Sequence, residues 1–134
     1  VPGTKAVHVT PASSGKFHAV VCLQKEHEGD GKNAILAALN SSRDIKLVTV
    51  VDDEVDPYNP REVEWAMATR FQADRDLVVI AGAKGNELDP SCSHLGLTAK
   101  MGIDATKPLG RSERFEKVRI PGFEKIKLRD YLRP

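Results

Sequence analysis

The sequence predicts an α/β fold: a three-layer, mainly parallel sheet of βαβαβ type with helices on both faces. Three observations predict it. Residues 45–51 (IKLVTVV) form an almost unbroken apolar, β-branched run, as in a strand buried on both faces of a parallel sheet. Residues 59–71 carry a helix start and a helical apolar stripe. Strand-like and helix-like segments alternate, which implies right-handed βαβ crossovers.

The elements follow in order. Residues 1–15 read as an extended lead-in, because Val7 and Val9 flank His8 while Pro2, Pro11 and Gly15 exclude helix. Residues 16–24 (KFHAVVCLQ) are a strand. After a polar loop, residues 31–40 (GKNAILAALN) are a helix with Ile35, Ala38 and Leu39 on one face and Asp30 as the expected cap. The strand over 45–51 comes next. Asn59 then serves as N-cap, Pro60 takes the first helical position, and Glu62 completes a capping-box-like start. Val63, Ala66, Met67, Arg70 and Phe71 line its inner face, Arg70 through its aliphatic stem. Residues 76–81 (DLVVIA) are a third central strand. Residues 83–112 lack periodicity and read as a long structured loop. A short strand over 115–120 and a terminal helix over 123–132 complete the expectation, within a single α/β domain spanning 1–134.

The 134 residues suffice for one self-sufficient core. Hydrophobic residues make up 40%, which argues against disorder. The 20 Lys+Arg against 19 Asp+Glu leave a net charge of +1, which excludes a strongly polyanion-seeking protein and so nucleic acid as partner. The balance hides an acidic stretch at 52–64 and a basic tail at 107–134, with nine Lys/Arg against four Asp/Glu. That pairing suits docking within one assembly. Two cysteines without a CxxC point to a reducing, cytoplasmic setting, and no run is long enough to span a membrane. The start at Val1-Pro2-Gly3, without Met, points either to a processed start or to a piece of something longer.

Several clusters could carry chemistry. Asp52, Asp53, Glu54 and Asp56 follow a strand, where a hard cation could bind, but their order is wrong for an EF-hand and a solvated turn is the plainer reading. Gly29-Asp30-Gly31-Lys32 stands at a strand-to-helix turn suited to phosphate, yet Glu26 and Asn33 break the Walker pattern. His8, His18, His27 and His94 are dispersed, and no metal site is expected. Cys92 stands two residues from His94, a spacing that alone does not make a nucleophile. Trp65 reads as core or interface packing.

The ordered series Lys46 to Pro57 (KLVTVVDDEVDP), Arg61 to Arg70 (REVEWAMATR), Asp74-Arg75-Asp76, Leu88-Asp89-Pro90-Ser91 and Lys100 to Thr106 (KMGIDAT) resembles the C-terminal domain of the UbiD family. Those are prenylated-FMN-dependent reversible decarboxylases of aromatic and unsaturated acids. Glu28 to Lys32 (EGDGK) resembles the helix start of that domain, and the likeness runs from residue 1 to about 108. It is nearest to members acting on furan-type or hydroxybenzoic acids.

The resemblance implies that flavin and a Glu-Arg-Glu triad sit in an upstream domain, so no catalytic residue is carried over and no cofactor is expected for these residues alone. It implies a homo-oligomer, a small aromatic carboxylic acid as substrate, and a substrate-pocket wall contributed by this domain. By position, that wall is Asn40-Ser41-Ser42-Arg43, with Asn86-Glu87-Leu88 as the second segment. Arg43 could pair with a substrate carboxylate or simply offset a helix end. Leu88 could supply an apolar wall or core packing. A separately encoded assembly subunit and an independent small α/β ligand-binding module are the alternatives.

Overall fold

A computed structural model describes residues 1–118, 120–122, 125–127 and 131. The chain forms a five-stranded mixed sheet with helices, an α/β fold. Its strands are β1 (Thr4–Val9), β2 (His18–Leu23), β3 (Leu47–Asp52), β4 (Leu77–Lys84) and β5 (Leu97–Ala105), in the spatial order β1-β2-β3-β5-β4. β2, β3 and β5 are parallel, while β1 and β4 run antiparallel at the two edges. The helices are α1 (Asp30–Ser41), α2 (Pro60–Arg70) and the one-turn α3 (Ala73–Asp76).

This order corrects the sequence reading at two points. The apolar run expected as the third central strand is β4, an antiparallel edge. The third parallel strand is β5, inside the region expected as loop. β5 hides its periodicity because Gly102 and Lys100 occupy inward positions where an apolar residue would have announced a strand. Any Cβ on Gly102 would overlap the Ile35 side chain, so glycine here sets how closely α1 approaches β5. The lead-in is also a true strand, pairing Val7 with Val21 and Val9 with Ala19.

Alternate residues of β2 and β3 enter two separate apolar clusters. Val20, Cys22 and Val51 join Val55, Val63 and Ala66 of the α2 side. Val21, Leu23, Val48 and Val50 join Ala34, Ile35 and Leu39 of α1. Each fully buried Val or Ile contributes roughly 1.5–3 kcal/mol.

The helix ends differ in detail from expectation. Asp30 does not cap α1. Gly29 takes the N-cap at φ +95°, and the Asp30 carboxylate instead accepts from the Glu26 and His27 N–H groups at 3.0 and 2.8 Å. Asn59 caps α2 by accepting from the Arg61 N–H at 3.2 Å. Glu62 accepts from the Asp56 N–H, which ties the acidic loop to the helix start. Residues 112–115 form a 3-10 turn, and 116–118 are not a strand. The expected helix over 123–132 falls largely outside the described residues. Among the described residues, no helix is long and apolar enough to cross a membrane.

Candidate functional site

The turn after α1 and the loop after β4 meet at one end of the sheet. Strand direction decides this. Residues 40–46 lead into the amino end of β3, and antiparallel β4 delivers Gly85 and Asn86 beside the amino end of β5. A parallel β4 would have sent the two segments to opposite ends.

Asn86 Nδ2 donates to Asp44 Oδ1 at 2.8 Å and joins the segments directly. The Asp44 N–H in turn donates to Ser42 Oγ at 3.1 Å. Arg43 is largely exposed, and its Nε lies 3.8 Å from Asp44. Asn86 Oδ1 accepts from the Leu88 N–H at 2.9 Å, a local turn that leaves the Leu88 side chain projecting at 72% exposure. Exposed Ser41 donates its hydroxyl to the Ala38 carbonyl at 2.7 Å.

A cavity of about 640 Å³ opens here, lined by Asn40, Ser42, Arg43, Leu36, Leu39, Ile80, Ala83, Lys84 and Lys100. Of the expected wall residues, Asn40, Ser42 and Arg43 line it, and Asn86 braces it through Asp44. Leu88 and Ser41 are not among its lining residues. The cations of Arg43 and Lys84, a hydroxyl and a carboxamide above an apolar floor form a surface suited to a carboxylate on an apolar body.

Two residues that anchor this edge escape sequence reasoning. Lys100 is 6% exposed, and its ammonium donates to the carbonyls of Leu39 (2.8 Å) and Ser42 (2.9 Å). α1 has no basic residue in its last turn, so the compensating cation comes from β5. Desolvation lowers the Lys100 pKa, with Asp44 pulling the other way. Lys46 donates to Asp89 Oδ2 at 2.6 Å and to Ser91 Oγ at 2.8 Å. The Lys46 ammonium, with the Ser91 hydroxyl (2.7 Å) and N–H (3.0 Å) that both donate to Asp89 Oδ1, holds the Asp89 carboxyl down at about 2. The Asp89-Pro90-Ser91 turn is the signal that could have found this pair. Cys92 points its thiol at the Asn86 carbonyl (3.2 Å), with no bond to His94.

The opposite end of the sheet, at the carboxyl end of β3, carries a charge network. Arg70, 4% exposed, donates to Asp52 and to Glu54 (3.0 Å). Lys107 Nζ lies 2.6 Å from Glu54, and the Lys107 N–H donates to Asp52 at 2.9 Å. Arg70 therefore contributes its charge as well as its stem. Burial pushes the Asp52 carboxyl up, opposed by the Lys107 N–H and Arg70. Desolvation works the same way at Glu54, but Lys107 and Arg70 together hold that carboxyl below the usual range. Lys117 lies 3.9 Å from Glu62 and 4.8 Å from the centre of the Trp65 ring, so the basic tail docks on the acidic stretch. Among the described residues, no group of three or more His, Cys, Asp or Glu could hold a metal ion.

A family model described as the 3-octaprenyl-4-hydroxybenzoate carboxy-lyase C-terminal domain matches residues 1–105. The chain belongs to the UbiD family. Anhydromevalonate phosphate decarboxylase of Aeropyrum pernix is 56% identical over 124 residues, which are 92% of this chain and 28% of that protein. The UbiD-class enzyme HmfF from Pelotomaculum thermopropionicum in complex with FMN superposes with a TM-score of 0.90 at 56% identity, covering 98% of this chain and 30% of its own. An evolved dimeric form of the same enzyme in complex with prFMN gives a TM-score of 0.78 at 47% identity, covering 98% of this chain and 27% of its own. This UbiD-family chain thus spans under a third of the length of these relatives.

Proposed function

We propose that the chain is the C-terminal part of a prenylated-FMN-dependent carboxy-lyase that reversibly decarboxylates an aromatic, heteroaromatic or α,β-unsaturated acid. It contributes oligomer contacts and one wall of the substrate pocket, comprising Asn40, Ser41, Ser42, Arg43, Asn86 and Leu88. The observation that carries this reading is the Asn86–Asp44 bond, which assembles both wall segments beside a cation-lined cavity. The likeness to flavin-bound UbiD-class enzymes supports the cofactor.

The start of α1 does not itself fit a flavin phosphate. The glycine-rich start of α1 already carries the Asp30 carboxylate against the preceding turn, where it would repel a phosphate. On this proposal the flavin is bound mainly by an upstream domain, and the likeness to flavin-bound relatives of which this chain spans under a third supports that reading. Within the 1–134 domain, the two apolar clusters drawn from alternate strand residues support three layers with helices on both faces. A cytoplasmic setting belongs to the same reading, and the thiols of Cys22 and Cys92 are both free.

The test is to express the full-length protein with a source of prenylated FMN and follow carbon dioxide release. The acids offered are furan-type, hydroxybenzoic, gallic and phosphorylated unsaturated acids. Turnover of one class by the loaded protein, and none by the flavin-free protein, is expected. No turnover of any class by a protein shown to hold the flavin would overturn the proposal.

A further inference from the structure

Beyond β5 the chain passes the carboxyl end of β3 and divides into two parts of opposite character. The first is anchored. The Lys107 N–H donates to buried Asp52 at 2.9 Å, its ammonium lies 2.6 Å from Glu54, and the Leu109 N–H donates to Glu28 at 2.7 Å. These contacts tie the loop after β2 to the loop after β3. The second part is barely held. Among the described residues, 111–118 bond by backbone only to one another, Arg114 to Arg111 at 3.4 Å and Glu116 to Glu113 at 3.5 Å. All of them are exposed except half-buried Phe115.

Charge holds this second part down. Lys117 Nζ lies 3.9 Å from Glu62 and 4.8 Å from the centre of the Trp65 ring, and the Arg70 guanidinium lies 5.1 Å from the same ring. Exposed pairs of this kind contribute little and weaken in salt. Between the segment and α2 lies a cavity of about 780 Å³, lined by Glu54, Glu62, Trp65, Arg70, Phe115 and Lys117 among others, so packing adds little to the ionic hold. Gly110 separates the two parts at φ +74°, with nothing within 4 Å of where a Cβ would stand. Backbone conformation, not crowding, requires glycine there.

We propose that residues 111–117 are a strap, hinged at Gly110, that closes the Trp65–Arg70 cavity through Lys117 and opens when charge is screened. The charges set the direction of closure. The strap carries Arg111, Arg114 and Lys117 against Glu113 and Glu116, while 52–64 carries six acids against Arg61 alone. Their attraction reaches about 8 Å at physiological salt and about 3 Å at 1 M. Lys107 is mostly buried and close to Glu54, so the anchor outlasts the strap. Opening bares Trp65 and the wall around Arg70 while β5 stays in place.

The test follows tryptic cleavage after Arg114 in the full-length protein by mass spectrometry, in dilute buffer and at about 1 M salt. A free peptide of the same sequence, cut in parallel, removes trypsin's own response to salt. In dilute buffer the protein should be cut at least about tenfold more slowly than the peptide, and at high salt at nearly the peptide's rate. Lys117→Gln should show the fast rate already in dilute buffer, with no further response to salt. Glu113→Gln, a charge change outside the clasp, should keep the protection. Protection that persists at high salt, or that Lys117→Gln leaves intact, overturns the strap. Acrylamide, an uncharged quencher, supplies a second readout. The emission of Trp65, taken as wild type minus Trp65→Phe, should be quenched more at high salt, and unchanged quenching overturns the covering of that ring.

Discussion

Lys100 Nζ donates to the Leu39 carbonyl at 2.8 Å, so a residue of β5 closes the end of α1. The same ammonium holds the Ser42 carbonyl and fixes the turn that carries Arg43. Lys100→Met would keep the stem and leave both carbonyls unpaired. We expect a loss of about 2–3 kcal/mol in denaturant unfolding, with faster amide exchange across residues 39–44. Lys100→Arg should restore part of both.

The Asp89 carboxyl gives a pH signature. Its folded pKa of about 2 lies below its ordinary value near 3.9, so the unfolded chain binds the proton more readily. The stability from this group is complete above about pH 4 and disappears as pH falls through about 2. Lys46→Met should flatten the acid limb of the stability profile in that window. An unchanged slope would remove Lys46 as the cause.

Gly102 and Ile35 should couple. Gly102→Ala forces its methyl into Ile35, and we expect about 1–3 kcal/mol of destabilisation from overpacking. Combining it with Ile35→Ala, which removes both Cγ atoms of that contact, should cost less than the two single changes added. A double-mutant cycle by thermal melting measures this.

Arg70 is the centre of the charge network at the carboxyl end of β3. Arg70→Met leaves Asp52 buried without its cation, at an expected cost of about 3–5 kcal/mol. Adding Asp52→Asn should recover part of the loss, because a neutral amide is cheaper to bury than an unpaired carboxylate. Urea unfolding of both variants checks the order.

Arg43→Ala tests the proposed wall. The side chain is mostly exposed and only loosely paired, so we expect the melting curve to stay within ~1 °C because surface changes are nearly neutral. The KM for the carboxylate substrate should rise about tenfold, as the loss of a charge-assisted contact predicts. An unchanged KM with an intact melting curve would defeat the assignment.

What was legible in the sequence was local. Periodicity placed α1, α2, β2 and β3, since one buried face repeats at the period of the element. The Asn59–Pro60 start of α2 was readable because capping is decided by neighbouring residues. β4 and β5 were misplaced for one reason. An edge strand that is apolar on both faces looks like a central one, and a central strand with an inward lysine and glycine looks like a loop. Both segments of the proposed wall were named from the resemblance, yet Lys100, Lys46 and Asp44, which anchor them, were not. Their partners are 42–61 residues away in sequence.

The sequence by itself determined an α/β chain with an acidic middle, a basic tail and the ordered segments of the UbiD family. Composition and short-range spacing carry that information. Only the tertiary structure decided that β4 runs antiparallel, and this one reversal brings Asn86 to Asp44 and Lys84 to the cavity beside Arg43. Strand direction depends on which edges pair across the whole sheet, and no local pattern of side chains encodes it.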